Sequence, residues 1–135
     1  MLGVGALIID SGRILLVERG REPLKDYWSL PGGVVETGER LEYAVRREVR
    51  EETGLEVEVL HLLEVFERIM EDAGGRAEYH FVLMDYICRP SGGTLCAADD
   101  ASAVRWFAPE EIAGLKITEG TPEFIARAFA WVRGH

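Results

Sequence analysis

The sequence predicts an α/β fold in which helices cover the faces of a mixed β-sheet. Five apolar or alternating segments, each bounded by turn residues, have the pattern of β-strands. Residues 39–53, and the segment after Thr121, instead have the apolar spacing of amphipathic helices. A chain of 135 residues without internal repeats is long enough to bury one core, so we expect a single domain over residues 1–135.

The first half of the chain is predicted to form a hairpin, a loop and a helix. Residues 2–10 and 13–19 are apolar runs separated by a turn at Asp10–Gly12. Residues 21–33 contain two prolines and end in paired glycines, which is typical of an irregular loop closed by a turn. A helix over residues 39–53 follows.

The second half is predicted to supply three more strands, at residues 55–66, 77–88 and 103–108. A turn at 71–76 and a loop at 89–100 separate these strands.

Two proline-initiated helices complete the prediction. Pro109 begins a short helix. In the last helix we expect Thr121 as N-cap, Pro122 at the first helical position and Glu123 in the first turn. One face of this helix should pack on the sheet, namely Ile125, Ala128, Phe129 and Val132.

Composition limits the function classes. The net charge is −9 and the pI about 4.8, which argues against a long nucleic acid as partner. A small phosphate ligand remains compatible if a metal cation lies between phosphates and carboxylates. No apolar run approaches membrane-span length, and Met1 leads into "LGVGALIID" without a basic segment, so we expect neither a membrane segment nor a signal peptide. Cys88 and Cys96 are expected to be reduced thiols in a cytoplasmic protein.

Three glutamates occupy an unfavourable end of the predicted helix. Glu48, Glu51 and Glu52 lie just before Gly54, where the helix dipole costs each carboxylate roughly 0.3–1 kcal/mol. With about 100° per residue, Glu48 and Glu52 fall within the apolar stripe and Glu51 at its edge. That stripe consists of Leu41, Ala44, Val45 and Val49.

A solvated surface helix does not explain this pattern. An Arg47–Glu51 pair, contributing about 0.2–0.5 kcal/mol, accounts for Glu51 but not for Glu48 or Glu52. Partly buried carboxylates need a cation, and Mg²⁺ prefers oxygen ligands completed by phosphates. The geometry therefore favours a divalent metal site.

The segment before the helix supports a ligand site. Gly32 and Gly33 allow close approach of the backbone to a ligand. Glu39 is expected in the first helical turn, where a carboxylate is favourable. Glu36 has no such explanation, and we predict that it contacts substrate.

Residues 33–55, "GVVETGERLEYAVRREVREETGL", resemble the Nudix box, G-x5-E-x7-R-E-U-x-E-E-x-G-U, where U is a bulky aliphatic residue. All nine specified positions match, over about a sixth of the chain. Similarity of layout extends to "WSLPGG" before the box and to "PEEI" after a strand that contains Trp106.

The resemblance to the Nudix (MutT-type) hydrolases implies an α/β/α sandwich and hydrolysis of a nucleoside diphosphate linked to another moiety. It implies that Glu48, Glu51 and Glu52 bind Mg²⁺ or Mn²⁺, and that Arg47 orients them. It also suggests that Gly32 or Gly33 offers a carbonyl oxygen to the metal.

Several carboxylates qualify as the general base that would take a proton from water. Glu48 and Glu52 are the first candidates, and the residues do not distinguish between them. In some members of the family the base follows the box. Here the corresponding loop acids are Asp99, Asp100 and Glu119, for which a solvated role is the simpler interpretation.

Substrate contacts outside the box are predicted from residue type. Arg19 and Arg21 can steer phosphates in an otherwise acidic chain. Trp28 and Phe66 can stack on a base, although core packing also explains Trp28. The strand "HFVLMDY" loosely resembles ADP-ribose-type members, but the proline expected about 16 residues after the box is replaced by Glu71.

The predicted substrate is therefore ADP-ribose or a nucleotide sugar, with nucleoside triphosphates or dinucleoside polyphosphates as the alternative. A non-catalytic nucleotide sensor would be expected to lack acidic positions of the box, and none is missing. A metal-dependent isomerase on the same fold would need extra ligands, whereas His61, His80 and His135 form no cluster in the sequence. The sequence leaves a homodimer open.

Overall fold

The computed structural model describes residues 1–135 and contains seven strands, two α-helices and one 3₁₀ helix. The strands are β1 (Leu2–Asp10), β2 (Arg13–Arg19), β3 (Trp28–Ser29), β4 (Gly32–Val34), β5 (Leu55–Glu71), β6 (Ala77–Gly93) and β7 (Ala101–Phe107). The helices are α1 (Leu41–Thr53), the 3₁₀ helix (Pro109–Gly114) and α2 (Thr121–Arg133).

Strand β1 is the centre of a mixed sheet with the order β3-β2-β1-β6-β5. It runs parallel to β6 on one side. On its other side the first residues pair with β4 and the last with β2, both antiparallel. Strand β7 adds to β2, also antiparallel. The prediction of a mixed sheet with helices is confirmed.

The two faces of β1 belong to two different cores. Val4, Ala6 and Ile8 point to the face that α1 covers, together with Val45 of that helix. Leu7, which lies between Ala6 and Ile8 along the strand, points to the opposite face, which α2 covers. Because the strand is buried on both faces, its sequence is continuously apolar.

Element boundaries differ from the predictions where tertiary pairing decides them. Two short strands, β3 and β4, lie inside the predicted loop at 21–33 because they pair with β2 and β1. Strands β5 and β6 extend to Glu71 and to Gly93, beyond the predicted ends, because each continues the ladder of the other.

The N-terminus of α2 also differs from its prediction. Gly120, with φ of 83°, is the N-cap, and Thr121 is the first helical residue. The Thr121 hydroxyl is 2.6 Å from that of Thr118 and does not cap the helix. The expected packing of Ile125, Ala128, Phe129 and Val132 against the sheet is confirmed, with Val132 only partly buried. Neither α-helix has the length and continuous apolar surface of a membrane-spanning helix.

Two histidines that are distant in sequence meet on one tryptophan. The rings of His61 of β5 and of His135 both stack on the ring of Trp131 of α2. Their centroids are 4.8 Å and 4.1 Å from the Trp131 centroid. These contacts are aromatic stacking and do not make the histidines a cluster of metal ligands. The rings are stacked rather than directed at one point, and no group of His, Cys, Asp or Glu side chains in the structure could hold a metal ion as it stands.

One carboxylate is buried in the sheet face that α2 covers. Asp85 of β6 is 5% exposed. Burial raises the pKa of Asp85 to about 6, with Arg68 opposing and Glu64 adding to this rise. An ionised Asp85 therefore costs stability at neutral pH.

We predict that Asp85→Asn is more stable than the unmodified chain at pH 8, with no such gain at pH 3. A carboxyl group whose pKa is higher when folded loses stability as the pH rises from its unfolded pKa, about 3.8, to about 6. The loss reaches at most about 3 kcal/mol, and the amide avoids it. Chemical denaturation across this pH range measures the effect. Asp10→Asn, at the exposed end of β1, is the matched control, and equal pH profiles for all three proteins would contradict the prediction.

Candidate metal-binding and active site

The C-terminal end of α1 is fixed by the chain that follows β6. Gly54 ends the helix with φ of 78°, and its N–H donates to the Arg50 carbonyl. The N–H groups of Cys96 and Ala98 donate to the carbonyls of Thr53 and Glu52, at 2.8 Å and 3.1 Å. The last helical carbonyls are thereby satisfied, and the loop before β7 is held beside the glutamates.

Arg47 is the hub of the site. Its side chain is 12% exposed, and Nη1 donates to Glu48 at 2.8 Å and to Glu51 at 3.2 Å. Nε and Nη2 donate to the two oxygens of Glu39, at 2.5 Å and 2.9 Å, and Nη2 also reaches the Val34 carbonyl at 3.2 Å. The fork geometry of a guanidinium permits this number of directed bonds, which a lysine could not make.

Glu39 has a different role from the one predicted. It lies before α1, whose first residue is Leu41, so it is not in the first helical turn. Its side chain is 6% exposed and paired with Arg47 through both oxygens. The hydrogen bond from Arg47 lowers the pKa of Glu39 to about 2. Only the fold revealed this pair, because eight residues separate its members and Glu39 is outside the helix.

Glu52 is a partly buried carboxylate with little compensation. Its only hydrogen bond is from the Gly32 N–H, at 3.4 Å. Burial, and then the charge of Glu48, raise the pKa of Glu52 to about 8, with a smaller contribution from Asp100. Glu48 itself is 14% exposed. The two carboxylates thus share one partly enclosed region, in which Glu52 tends to keep its proton near neutral pH unless a cation compensates both charges.

The paired glycines make room for these carboxylates. A Cβ at Gly33 would lie 2.5–2.6 Å from the carboxyl atoms of Glu48. At Gly32 it would lie 2.1 Å from the Val4 carbonyl oxygen. Any side chain here would displace either the carboxylate or the strand pairing of β4 with β1, so both positions require glycine.

These residues fit a hard divalent cation. Glu48 and Glu52 offer carboxylate oxygens beside backbone carbonyls, the donor set that Mg²⁺ and Mn²⁺ accept. A cation would also offset the charge repulsion that the two carboxylates have without one. Glu51 instead turns to Arg47 and is 44% exposed, so the structure does not bring all three glutamates to one point. Their predicted role as metal ligands stays a prediction.

One loop acid and one of the predicted phosphate-steering arginines meet beside the site. Arg21 pairs with Asp100 at 2.9 Å, although both side chains are well exposed. Asp100 is the loop acid whose charge acts on Glu52. Arg19 donates to the Pro23 carbonyl at 2.9 Å, so in this structure it orders the loop between β2 and β3. Asp99 lines an open hollow beside Arg21, and Glu119 is exposed just before α2.

The two remaining predicted substrate contacts, Glu36 and Trp28, lie in different environments. Glu36 is 71% exposed, within 3.9 Å of Arg47, and lines an open hollow over the beginning of α1. Trp28 is 8% exposed and contacts Phe107 edge to face, with ring centroids 4.9 Å apart. Arg105 covers the Trp28 ring at 5.5 Å. The structure therefore gives Trp28 the core contacts that the sequence offered as the other explanation, and its stacking on a base stays a prediction.

Comparison with known proteins assigns the chain to a family. The NUDIX domain family model matches residues 1–128, and the chain belongs to this family. The chain is 40% identical over 106 residues to an ADP-ribose pyrophosphatase of Methanocaldococcus jannaschii, covering 78% of this chain and 60% of the relative. It is 33% identical over 130 residues to the nucleoside triphosphatase NudI of Salmonella agona, covering 89% and 90% of the two chains.

Solved structures agree with this assignment. The MutT NUDIX hydrolase of Burkholderia pseudomallei superimposes with a TM-score of 0.78 and 34% identity, covering 93% of this chain and 95% of that one. An ADP-ribose pyrophosphatase of Streptococcus suis superimposes with a TM-score of 0.75 and 25% identity, covering 98% and 91%. The chain spans 60–63% of the length of the first two curated relatives that it matches.

We predict that Glu39→Gln lowers the melting temperature in EDTA at pH 7, and that the difference from the unmodified chain shrinks as the pH falls from about 4.5 to about 2. A carboxylate with a lowered folded pKa stabilises the fold above its unfolded pKa, and that stability is lost as the pH falls through the folded pKa. Thermal unfolding monitored by circular dichroism measures this. Glu58→Gln, which removes an exposed pair with Arg89, is the control and should change little. A Glu39→Gln difference that persists at pH 2 would show that ion pairing is not its cause.

Proposed function

We propose that this chain hydrolyses a pyrophosphate bond in a nucleoside diphosphate linked to another moiety, using Mg²⁺ or Mn²⁺. The observation that carries the proposal is the pair Glu48 and Glu52 on α1. Both side chains are partly buried beside the Gly32–Gly33 turn, and while Arg47 pairs with Glu48, no cation of the protein pairs with Glu52. Such an arrangement costs stability unless a cation and its ligand complete it.

The chemistry assigns a role to each residue. A divalent cation supplies charge neutralisation at the phosphates and lowers the pKa of a water molecule. Glu48 and Glu52, with carbonyl oxygens of Gly32 or Gly33, would hold it, and Glu51 joins them if it leaves Arg47. Arg47 positions Glu48 through their 2.8 Å bond. Arg21 and Glu36 are proposed to contact the substrate from the rim.

In the reaction, water adds to one phosphorus and the bridging P–O bond breaks, which leaves two phosphomonoesters. The proton released by the water passes to a carboxylate. Glu48, Glu52 and, through its nearness to Glu52, Asp100 are the candidates in this chain. The family generally uses a divalent metal for its chemistry.

ADP-ribose or a similar nucleotide sugar is the proposed substrate. Support comes from the relatives named as ADP-ribose pyrophosphatases, one at 40% identity and one whose structure covers 98% of this chain. A nucleoside triphosphate is the second candidate, because the nucleoside triphosphatase NudI matches this chain over 90% of its own length. A screen of phosphate-ester products from ADP-ribose, nucleotide sugars, dinucleoside polyphosphates and nucleoside triphosphates distinguishes these classes.

We predict that hydrolysis of the best substrate in that screen is abolished by EDTA and restored by added Mg²⁺ or Mn²⁺. The reason is that the carboxylates alone would repel the phosphates of the substrate. Product formation is measured by chromatography after dialysis against chelator. The control is the chelated sample in Zn²⁺-free buffer, to which Na⁺ is added in place of the divalent cation at equal ionic strength. Full activity in the chelated sample would disprove the metal dependence.

We predict that Glu52→Gln lowers kcat on the order of a hundredfold or more, yet melts no lower than the unmodified chain in EDTA. The amide keeps the shape and a weak hydrogen bond while it removes a buried charge next to Glu48. Added Mg²⁺ should then raise the melting temperature of the unmodified chain more than that of the variant.

Glu56→Gln, just beyond α1 and paired with Arg50 at 3.4 Å, is the matched control. It should retain both kcat and the response to Mg²⁺. A large loss of melting temperature for Glu52→Gln in EDTA would instead assign Glu52 a structural partner.

A further inference from the structure

The far end of the β5–β6 hairpin extends beyond the rest of the sheet. The ladder of β6 with β1 begins at Val82, so residues 77–81, and residues 68–71 opposite them on β5, form a two-stranded ribbon. Four large apolar side chains are exposed at this end of the hairpin, namely Val65, Ile69, Met70 and Tyr79. A two-stranded hairpin by itself is only marginally stable in water, and exposed apolar groups add to its cost. This end is therefore suited to contact another molecule.

The exposed apolar side chains lie on both faces of the hairpin. Val65 and Ile69 share the face that α1 covers further along, because Val65 is opposite Met84 of the core under that helix. Met70, opposite Tyr79, points to the other face. A partner packed on one face would leave the other in water, whereas a strand added at the edge of β5 lies beside both rows of side chains.

The edge of β5 is open where these side chains lie. No strand follows β5 in the sheet order. Register shifts interrupt the β5 ladder at three places up to Glu64, but residues 64–70 pair with β6 without a break. Bulges, lysines and prolines are usual protections of an edge strand, and residues 64–70 contain none of them. This stretch can therefore form backbone hydrogen bonds with another strand.

The charges of the stretch complement a second copy of itself. Two identical strands paired antiparallel about a twofold axis place one residue opposite its own copy. Glu67 or Arg68 in that position would oppose like charges, which is unfavourable. Phe66 in that position instead brings Arg68 opposite Glu64 of the other copy, twice by symmetry. Arg68 forms no ion pair within the chain, and Glu64 uses only one of its oxygens, for Arg127 at 2.7 Å.

We propose that two copies of this chain associate by antiparallel pairing of β5 with β5 of the other copy, centred on Phe66. The two sheets then become one. The pairing supplies hydrogen-bond partners to the free backbone groups of the edge, places the half-buried Phe66 rings side by side and forms two Arg68–Glu64 pairs. Neither the glutamates of α1 nor a substrate takes part, so this inference is independent of the proposed function.

The first test measures molar mass against concentration by light scattering for the unmodified chain, Arg68→Glu and Arg76→Glu. Arg76 is the matched control because it lies in the exposed turn of the same hairpin, outside the paired stretch, and its side chain forms no ion pair. We expect the unmodified chain and Arg76→Glu to pass from monomer to dimer with the same Kd, between about 5 and 500 μM because the interface is small.

Arg68→Glu should weaken the dimer at least about tenfold, because the new carboxylate would oppose Glu64 of the other copy. Arg68→Gln, which removes the charge without reversing it, should weaken the dimer by a smaller factor. Circular dichroism of each variant verifies that it is folded.

The second test locates the twofold axis by disulfide cross-linking in a Cys96→Ser background, which leaves only the buried Cys88. Phe66→Cys places two thiols opposite each other, within the Cα separation of about 7 Å that a disulfide allows. Ile69→Cys is the matched control: the position is well exposed, but its two copies would be about 20 Å apart along the strands. We expect mild oxidation to give a covalent dimer with Phe66→Cys and not with Ile69→Cys.

A monomer at every concentration would overturn the proposal, as would a dimer whose Kd is the same in folded Arg68→Glu and Arg68→Gln. Cross-linking of Ile69→Cys to the same extent as Phe66→Cys would overturn it as well, because the axis would not pass through Phe66. A dimer that Arg68→Glu weakens and that Phe66→Cys joins covalently would support the pairing.

Discussion

The ion pair between Arg47 and Glu39 is the interaction on which the site depends. Both side chains are almost fully buried, and the guanidinium joins the end of the turn before α1 to the glutamates in its last turns. Because two nitrogens are fixed on Glu39, the remaining nitrogen is directed at Glu48 and Glu51 rather than at solvent. The position of Glu48 is thus set by charge-assisted hydrogen bonds and does not rely on a flexible side chain finding its place.

The same helix contains one carboxylate that its neighbours do not stabilise. Glu52 lies one turn from Glu48 and is partly buried, and its side chain has a single long hydrogen bond, from Gly32. A chain selected for stability alone would carry an apolar residue here, as it does at Val45 and Val49. The cost is explained if a cation and a phosphate ligand complete the site, and the perturbed pKa of Glu52 is typical of such functional positions.

Strand β1 lies between Glu52 and Asp85, the two carboxylates that form no ion pair in the protein. Its first half pairs with β4, which contacts Glu52, and with β6, which contains Asp85. Gly3 and Gly5 would each bring a Cβ to within 2.5–2.6 Å of a β6 side chain, which explains small residues in an otherwise apolar central strand. The glycines that the sequence places in β1 are therefore required by the side chains that cross over them.

The sequence by itself determined the elements whose signals are local. The strands of the β1–β2 hairpin, the helix with its glutamates at the C-terminal end, and the glycine turn follow from periodicity and residue type. The spacing from Gly33 to Leu55 also identified the family.

Tertiary structure decided what depends on distant partners. The short strands β3 and β4 exist only because β2 and β1 offer hydrogen bonds, and Trp28 is core because Phe107 and Arg105 enclose it. Burial of Glu39 and Asp85 is equally invisible in sequence. The sequence shows a carboxylate in the same way whether its side chain contacts water, a guanidinium or no partner. Only the packing of remote strands distinguishes these environments.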